Sequence, residues 1–106
     1  MKRGDIYWVN LEPTKGAEIR KRRPCVIISA NPINEVRRTV IVVPLSTSAK
    51  AYPPITVEVA CNNKQVTAVC DQIRAVDKKR LINCFDELTQ DDLKKVEINL
   101  RQVMEL

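Results

Sequence analysis

The apolar pattern of this chain changes period once, close to residue 88. Upstream, short runs of β-branched and aromatic residues are separated by clusters of Pro, Gly, Asn and Lys, the signature of strands and turns. Downstream, Leu93, Val96, Leu100, Val103 and Met104 recur at three- and four-residue steps and form one helical stripe. Thr89 can cap that helix, and Asp91 and Asp92 fall in its first turn, where carboxylates suit the helix dipole.

The strands follow in order. Residues 6–11 (Ile-Tyr-Trp-Val-Asn-Leu) read as the first, with Tyr7 and Trp8 on opposite faces and Trp8 in the core. Residues 13–21 read as a loop with Gly16 as its pivot, and residues 25–30 as the second strand. Residues 31–38 carry turn chemistry in Asn-Pro and Asn34. Residues 39–45 are apolar on both faces and read as a central strand, with Pro44 requiring an edge or a bulge near its end. After a polar loop closing in Pro53-Pro54, residues 55–60 and 66–73 read as two further strands around a turn at Asn62-Asn63-Lys64. Lys78-Lys79-Arg80 is a charged turn before a last short strand at 81–85. Strands first and one helix last make a mainly β fold with a C-terminal α-helix, a small barrel or curled sheet with the helix packed on it. The helix stripe needs cover, from the chain's own barrel or from a second copy.

A length of 106 residues sets the expectation of one domain over residues 1–106. No apolar run approaches the roughly 20 residues that span a bilayer. The opening Met-Lys-Arg-Gly-Asp has no apolar region behind it and does not read as a signal peptide, so a cytoplasmic location and no membrane partner are expected. Of the four cysteines, Cys25, Cys61, Cys70 and Cys84, none forms a Cys-x-x-Cys pair, and they are read as reduced core residues. The net charge of +5 is unevenly placed: residues 1–50 carry ten Lys/Arg against four Asp/Glu, whereas residues 51–106 carry eight against nine. A basic half on a small domain points to an anionic partner, nucleic acid first, or to a solvated face.

The chemistry is bounded by what is missing. The chain has no histidine, so a Ser–His pair is excluded and acid–base work falls to carboxylates, lysine, tyrosine, cysteine or an unusual arginine. A metal site is not expected, since imidazole is absent and the carboxylates are dispersed. With only Gly4 and Gly16 there is no glycine-rich phosphate loop.

Attention therefore settles on the stretch Glu-Ile-Arg-Lys-Arg-Arg-Pro-Cys-Val-Ile-Ile-Ser-Ala, residues 18–30. Pro24 fixes its own φ and extends the residue before it, which places Arg23 on a rigid base beside a basic loop. Glu18 lies within reach if the loop folds back. Ser46, Thr47 and Ser48 form a hydroxyl run at the exit of the central strand, and Asp71 and Gln72 come late in another. Brought to one end of a barrel, these groups make a site for a phosphodiester: a cation for developing charge, a hydroxyl for a phosphate oxygen, a carboxylate for protons. Each also has a structural reading. Arg23 can cap a strand end or pair with Asp71, Glu18 can be a neutralising surface charge, Ser46 and Thr47 can satisfy turn amides, and Asp71 can pair with Arg74.

Together these residues resemble the MazF/PemK family of toxin endoribonucleases, or mRNA interferases. The likeness is carried by Gly4-Asp5-Ile6-Tyr7-Trp8-Val9, Pro13-Thr14-Lys15-Gly16-Ala17-Glu18, Arg22-Arg23-Pro24-Cys25-Val26-Ile27-Ile28, Val42-Val43-Pro44-Leu45-Ser46-Thr47-Ser48 and Asp71-Gln72-Ile73-Arg74. These five segments stand in the family's order over nearly the whole chain. The resemblance implies an SH3-like β-barrel that forms a homodimer. It implies metal-independent cleavage of single-stranded RNA at a short sequence, by attack of the 2′-hydroxyl, leaving a 2′,3′-cyclic phosphate and a 5′-hydroxyl, with no cofactor. It also implies a cognate, MazE-like antitoxin whose acidic tail covers the RNA site.

Position by position, Arg23 is similar to the family's catalytic arginine and Ser46 to its catalytic threonine, with Thr47 as the alternative beside it. Glu18 and Asp71 resemble carboxylates that different members use. Some members have a histidine where Ala17 stands, and some an arginine where Val69 stands, so those routes are closed here. The main load falls on Arg23 with Glu18. An arginine acting as an acid needs neighbours that disfavour its cation, which Arg20, Lys21 and Arg22 would supply. Arg20, Lys21, Arg22 and Lys50 would hold the RNA backbone with Gln72, and Tyr52 in its exposed loop is the candidate for base stacking. Two other readings compete. The gyrase poisons on the same barrel act through a Trp-Gly-Ile end, against Val103-Met104-Glu105-Leu106 here. A basic nucleic-acid-binding barrel would bind RNA without cutting it.

Overall fold

The computed structural model of the chain describes residues 1–11 and 22–106. In these residues the order is β1 (Asp5–Asn10), β2 (Arg22–Ile27), α1 (Asn31–Val36), β3 (Thr39–Ser46), β4 (Thr56–Cys61), β5 (Lys64–Val69), β6 (Arg74–Asp77), β7 (Leu81–Glu87) and α2 (Gln90–Met104). Two 3-10 turns, Cys70–Gln72 and Lys78–Arg80, flank β6.

β3 is the hub. One of its edges pairs with β2; the other pairs with β6 along its first half and with β5 along its second. The sheet path is β4-β5-β3-β2-β1-β7, all antiparallel, with β6 beside β3. Because one strand serves two sheets, the path bends at β3. Pro44 sits at that bend. Ile28 donates its amide to the Ile41 carbonyl. So residues 41, 43 and 45 turn their backbone groups towards β2, while Pro44 turns its missing donor to the other edge. There the pairing with β6 ends at Arg74, opposite Val42, and the pairing with β5 starts at Ala68, opposite Leu45. The proline thus occupies a gap between partners in a central strand, neither an edge nor a bulge.

The strand expected over residues 66–73 ends earlier, at Val69, and Asp71 and Gln72 lie in the 3-10 turn that follows. A separate strand, β6, begins at Arg74. Residues 31–38 are largely the short helix α1, with Pro32 at its start, where a proline lacks nothing that a helix needs. The buried amide of Asn34 holds α1 down: Ser29 Oγ donates to Asn34 Oδ1, and Asn34 Nδ2 donates to the Ser29 carbonyl at 2.9 Å. The β4–β5 turn falls as expected. Asn62 and Asn63 adopt φ of 55° and 64°, the left-handed pair that a two-residue hairpin requires.

Two cores result. Ile6, Val26, Val43, Leu45, Val59 and Ala68 face α2, which contributes Leu93, Val96, Leu100 and Val103. The helix stripe is therefore covered by the chain's own sheet, except at Met104, which is exposed. Val9, Cys25, Ile27, Val40, Val42 and Val76 form the second core. Polar ties hold the helix in place. Thr89 Oγ1 accepts the Asp92 amide at 3.1 Å, Asp92 Oδ2 accepts the amide of Ala60 on β4 at 2.9 Å, and Arg3 pairs with Glu97 at 2.8 Å.

Candidate active site

The site is built where β2 begins and β3 ends. In the β1–β2 ladder, Asn10 stands opposite Arg22, Val9 opposite Arg23 and Trp8 opposite Pro24. Two cations are thereby fixed at the open end of the sheet by a strand whose next residues, Cys25, Val26 and Ile27, are fully buried. Pro24 at the join leaves the backbone of Arg23 extended. β3 runs back towards the same end, so its exit residues arrive beside them. Trp8, Arg22, Arg23, Pro24, Leu45, Ser46, Thr47 and Ser48 line one cavity of about 350 Å³.

The structure thus brings together three of the expected site residues, Arg23, Ser46 and Thr47, with Arg22 from the expected RNA-holding set. Their chemistry is that of an anion site: two exposed arginines and a run of hydroxyl residues share its lining. Guanidinium presents five donors in a fixed fork, suited to phosphate oxygens.

The two candidate hydroxyls differ. Ser46 is buried, and its Oγ accepts the amides of Ser48 at 3.2 Å and Ala49 at 3.0 Å. It closes the turn that aims the loop, the structural role open to it from the sequence. Thr67 Oγ1 donates to the Ala49 carbonyl at 3.0 Å and holds the same loop from β5. Thr47 is exposed at the cavity wall.

Below the arginine lies a closed apolar layer. Burial pushes the Cys25 thiol up to about 12, with the Arg74 and Arg23 guanidinium groups pulling the other way. Both cations thus lie near Cys25. Among the described residues Asp71 pairs with neither Arg23 nor Arg74; the ion pairs there are Arg3–Glu97 and Asp92–Lys95.

Of the remaining expected residues that the structure describes, none lines the cavity. Asp71 and Gln72 are exposed on their 3-10 turn. Lys50 and Tyr52 are exposed in the loop after β3, where the Tyr52 amide donates to Thr56 Oγ1 at 2.6 Å. Glu18, Arg20 and Lys21, with the loop expected at 13–21, lie outside the described residues.

Two expectations need correction. Trp8 is not a core residue: it is 38% exposed, lines the cavity, and stacks on Phe85 with centroids 5.2 Å apart. The alternation along β1 carries only half of the signal. Ile6, Trp8 and Asn10 share one face of β1, which passes from core to surface between the first and the last. Cys84 is likewise exposed on β7, while Cys25, Cys61 and Cys70 are buried.

Against known proteins, residues 2–104 match the sequence family described as PemK-like, MazF-like toxin of type II toxin–antitoxin system. The chain is 33% identical over 73 residues to the endoribonuclease toxin MazF of Escherichia coli strain K12, a match covering 69% of this chain and 65% of that protein's length. Among solved structures, MazF from Deinococcus radiodurans superposes with a TM-score of 0.83 at 25% identity, covering 100% of this chain and 97% of the other. A mycobacterial endoribonuclease in complex with its cognate antitoxin gives a TM-score of 0.83 at 23% identity, covering 100% and 96%.

Proposed function

This chain belongs to the family of PemK-like, MazF-like toxins of type II toxin–antitoxin systems, and we propose that it is one toxin domain over residues 1–106 that cleaves single-stranded RNA at a short sequence without a metal ion. The observation that carries this reading is the cavity itself, which Arg22 and Arg23 line together with Ser46 and Thr47 where β2 begins and β3 ends. It is an anion site at the head of a rigid ladder, in a chain that has no histidine.

In this mechanism the nucleophile belongs to the RNA. The 2′-hydroxyl oxygen attacks the adjacent phosphorus, the P–O5′ bond breaks, and a 2′,3′-cyclic phosphate and a 5′-hydroxyl remain. A base takes the 2′-hydroxyl proton and an acid returns one to the 5′-oxygen. Arg23 stabilises the charge that builds on the phosphoryl oxygens and supplies the acid. Glu18 is the base, with Asp71 as the alternative. Thr47 or Ser46 holds a phosphate oxygen. Arg20, Lys21, Arg22, Lys50 and Gln72 hold the backbone, which positions the strand without reading its sequence.

The biological setting follows from the same reading: a cytoplasmic toxin that lowers translation, held in check by an antitoxin with an acidic tail laid over the cavity, and acting as a homodimer. Exposed Ile33, Val36 and Ile41, on α1 and β3, are consistent with a partner face. A sedimentation mass of one chain at micromolar concentration would remove the dimer.

The test is incubation of the antitoxin-free protein with a long unstructured RNA in excess EDTA, followed by mapping of both new ends. Discrete cuts with cyclic-phosphate and 5′-hydroxyl ends are expected. RNA binding without cutting would instead make the chain a binding module.

A further inference from the structure

We propose that Trp8 is the platform on which the nucleobase next to the scissile phosphate stacks, and so a substrate-positioning residue of this site. The inference rests on the reading of the cavity as an RNA site and adds a contact that the backbone-holding cations do not provide.

The argument is geometric. Trp8 lies on the same cavity as Arg23 and Thr47, and stands opposite Pro24 in the β1–β2 ladder. The residue is 38% exposed, although its strand neighbour Val9 is fully buried. One face is occupied by Phe85, with planes 21° apart and centroids at 5.2 Å. Phe85 is itself partly buried against the main core, so the stack anchors the indole to the sheet. The stack on Phe85 leaves one face of the indole for a base, on a ring that is already oriented. A base laid there loses little protein flexibility on binding.

The chemistry of the cavity calls for such a surface. Its other walls are two arginines, three short hydroxyl residues and the aliphatic Pro24 and Leu45, so Trp8 is the one aromatic residue in the described lining. Stacking on an aromatic face accepts any base, because every base has a π-face. Trp8 therefore adds affinity and register, while sequence choice is left to other groups. Tyr52 and Tyr7 do not line this cavity.

The sole tryptophan of the chain makes the test direct. The probe is a 2′-O-methyl oligoribonucleotide copied from around a mapped cut or, if the protein makes no cut, a mixed-sequence 2′-O-methyl oligonucleotide. Titration of the wild-type protein should quench the Trp8 emission in step with binding measured independently by anisotropy. W8L should bind the same probe roughly 10- to 100-fold more weakly, as expected for one lost stack. W8F, which keeps an aromatic face, should stay within a few-fold of wild type. On cleavable RNA, W8L should raise KM more than it lowers kcat. Circular dichroism of both variants reports whether the sheet is intact.

Binding by anisotropy with unchanged emission overturns the proposal, and so does a W8L protein that is folded and binds like wild type. Either result leaves cleavage by the wild-type protein standing. Absence of cleavage with Trp8 quenched would overturn the enzymatic reading instead and keep the stacking site. If W8L is unfolded, the wild-type emission and the W8F affinity still decide.

Discussion

Ser46 and Ala49 are joined by a hydrogen bond of 3.0 Å from the Ala49 amide to the serine Oγ, and Ser48 adds a second at 3.2 Å. The acceptor positions of the serine hydroxyl are thus taken by the loop, and the neighbouring Thr47 is the exposed hydroxyl of the cavity lining. S46A should loosen the loop and cost about 1 kcal/mol of stability, read as a lower denaturation midpoint. T47V should leave that midpoint unmoved and lower the cleavage rate. The opposite pattern, with S46A inactive but fully stable, would make Ser46 the phosphate-holding group.

The helix that closes the main core depends on two small polar contacts at its start. Thr89 caps it, and T89A should cost about 1 kcal/mol. For a domain of this size that lowers Tm by roughly 4–8 °C. The cleavage rate at low temperature should be unaffected, because Thr89 is not among the cavity residues.

Asp92 satisfies the Ala60 amide on β4, the end strand of the sheet path. D92A leaves that amide without its acceptor and should cost about 1–3 kcal/mol. D92N keeps an acceptor oxygen and should cost less. Hydrogen exchange at the Ala60 amide checks the mechanism: it should accelerate in D92A ahead of amides in β3.

Alkaline pH should weaken the fold through its thiols. Burial lifts Cys25 from an ordinary value of 9.0 to about 12, and Cys70 from 9.0 to about 11. Between those limits the unfolded chain has released a proton that the folded chain retains. The stabilisation is therefore fully present below pH 9.0 and lost as pH rises towards 11 and 12. The slope should be about 1.4 kcal/mol per pH unit for each thiol. Denaturant midpoints between pH 9 and 11 should fall less steeply in C25A than in wild type. Cys84, being exposed, should be alkylated at neutral pH while Cys25 and Cys70 stay protected.

Much of this was legible in the residues, and the failures share a cause. Strands with strong local signals, such as β1 and β3, and the striped helix α2 follow from pattern alone. β6 is four residues long and mixed, and its strand state comes from pairing with β3. A local reading ran Asp71 and Gln72 into the strand before it. α1 was hidden because Asn-Pro serves a turn and a helix start equally well. Arg23 was legible because Pro24 marks its backbone. Trp8 was not, because aromatic size argues for burial, and only the curl of the sheet shows that its face has reached the open end.

The most direct test of the account is the single-turnover cleavage rate of R23A, and of R23K, at saturating RNA in EDTA. The Arg23 side chain is exposed, so neither substitution should move Tm appreciably. The account predicts a fall of roughly 10²–10⁴ in rate for R23A with RNA binding largely retained. R23K should rescue little, since an ammonium lacks the planar fork. A folded R23A protein that cleaves at the wild-type rate would contradict the account and place the reacting phosphate outside this cavity.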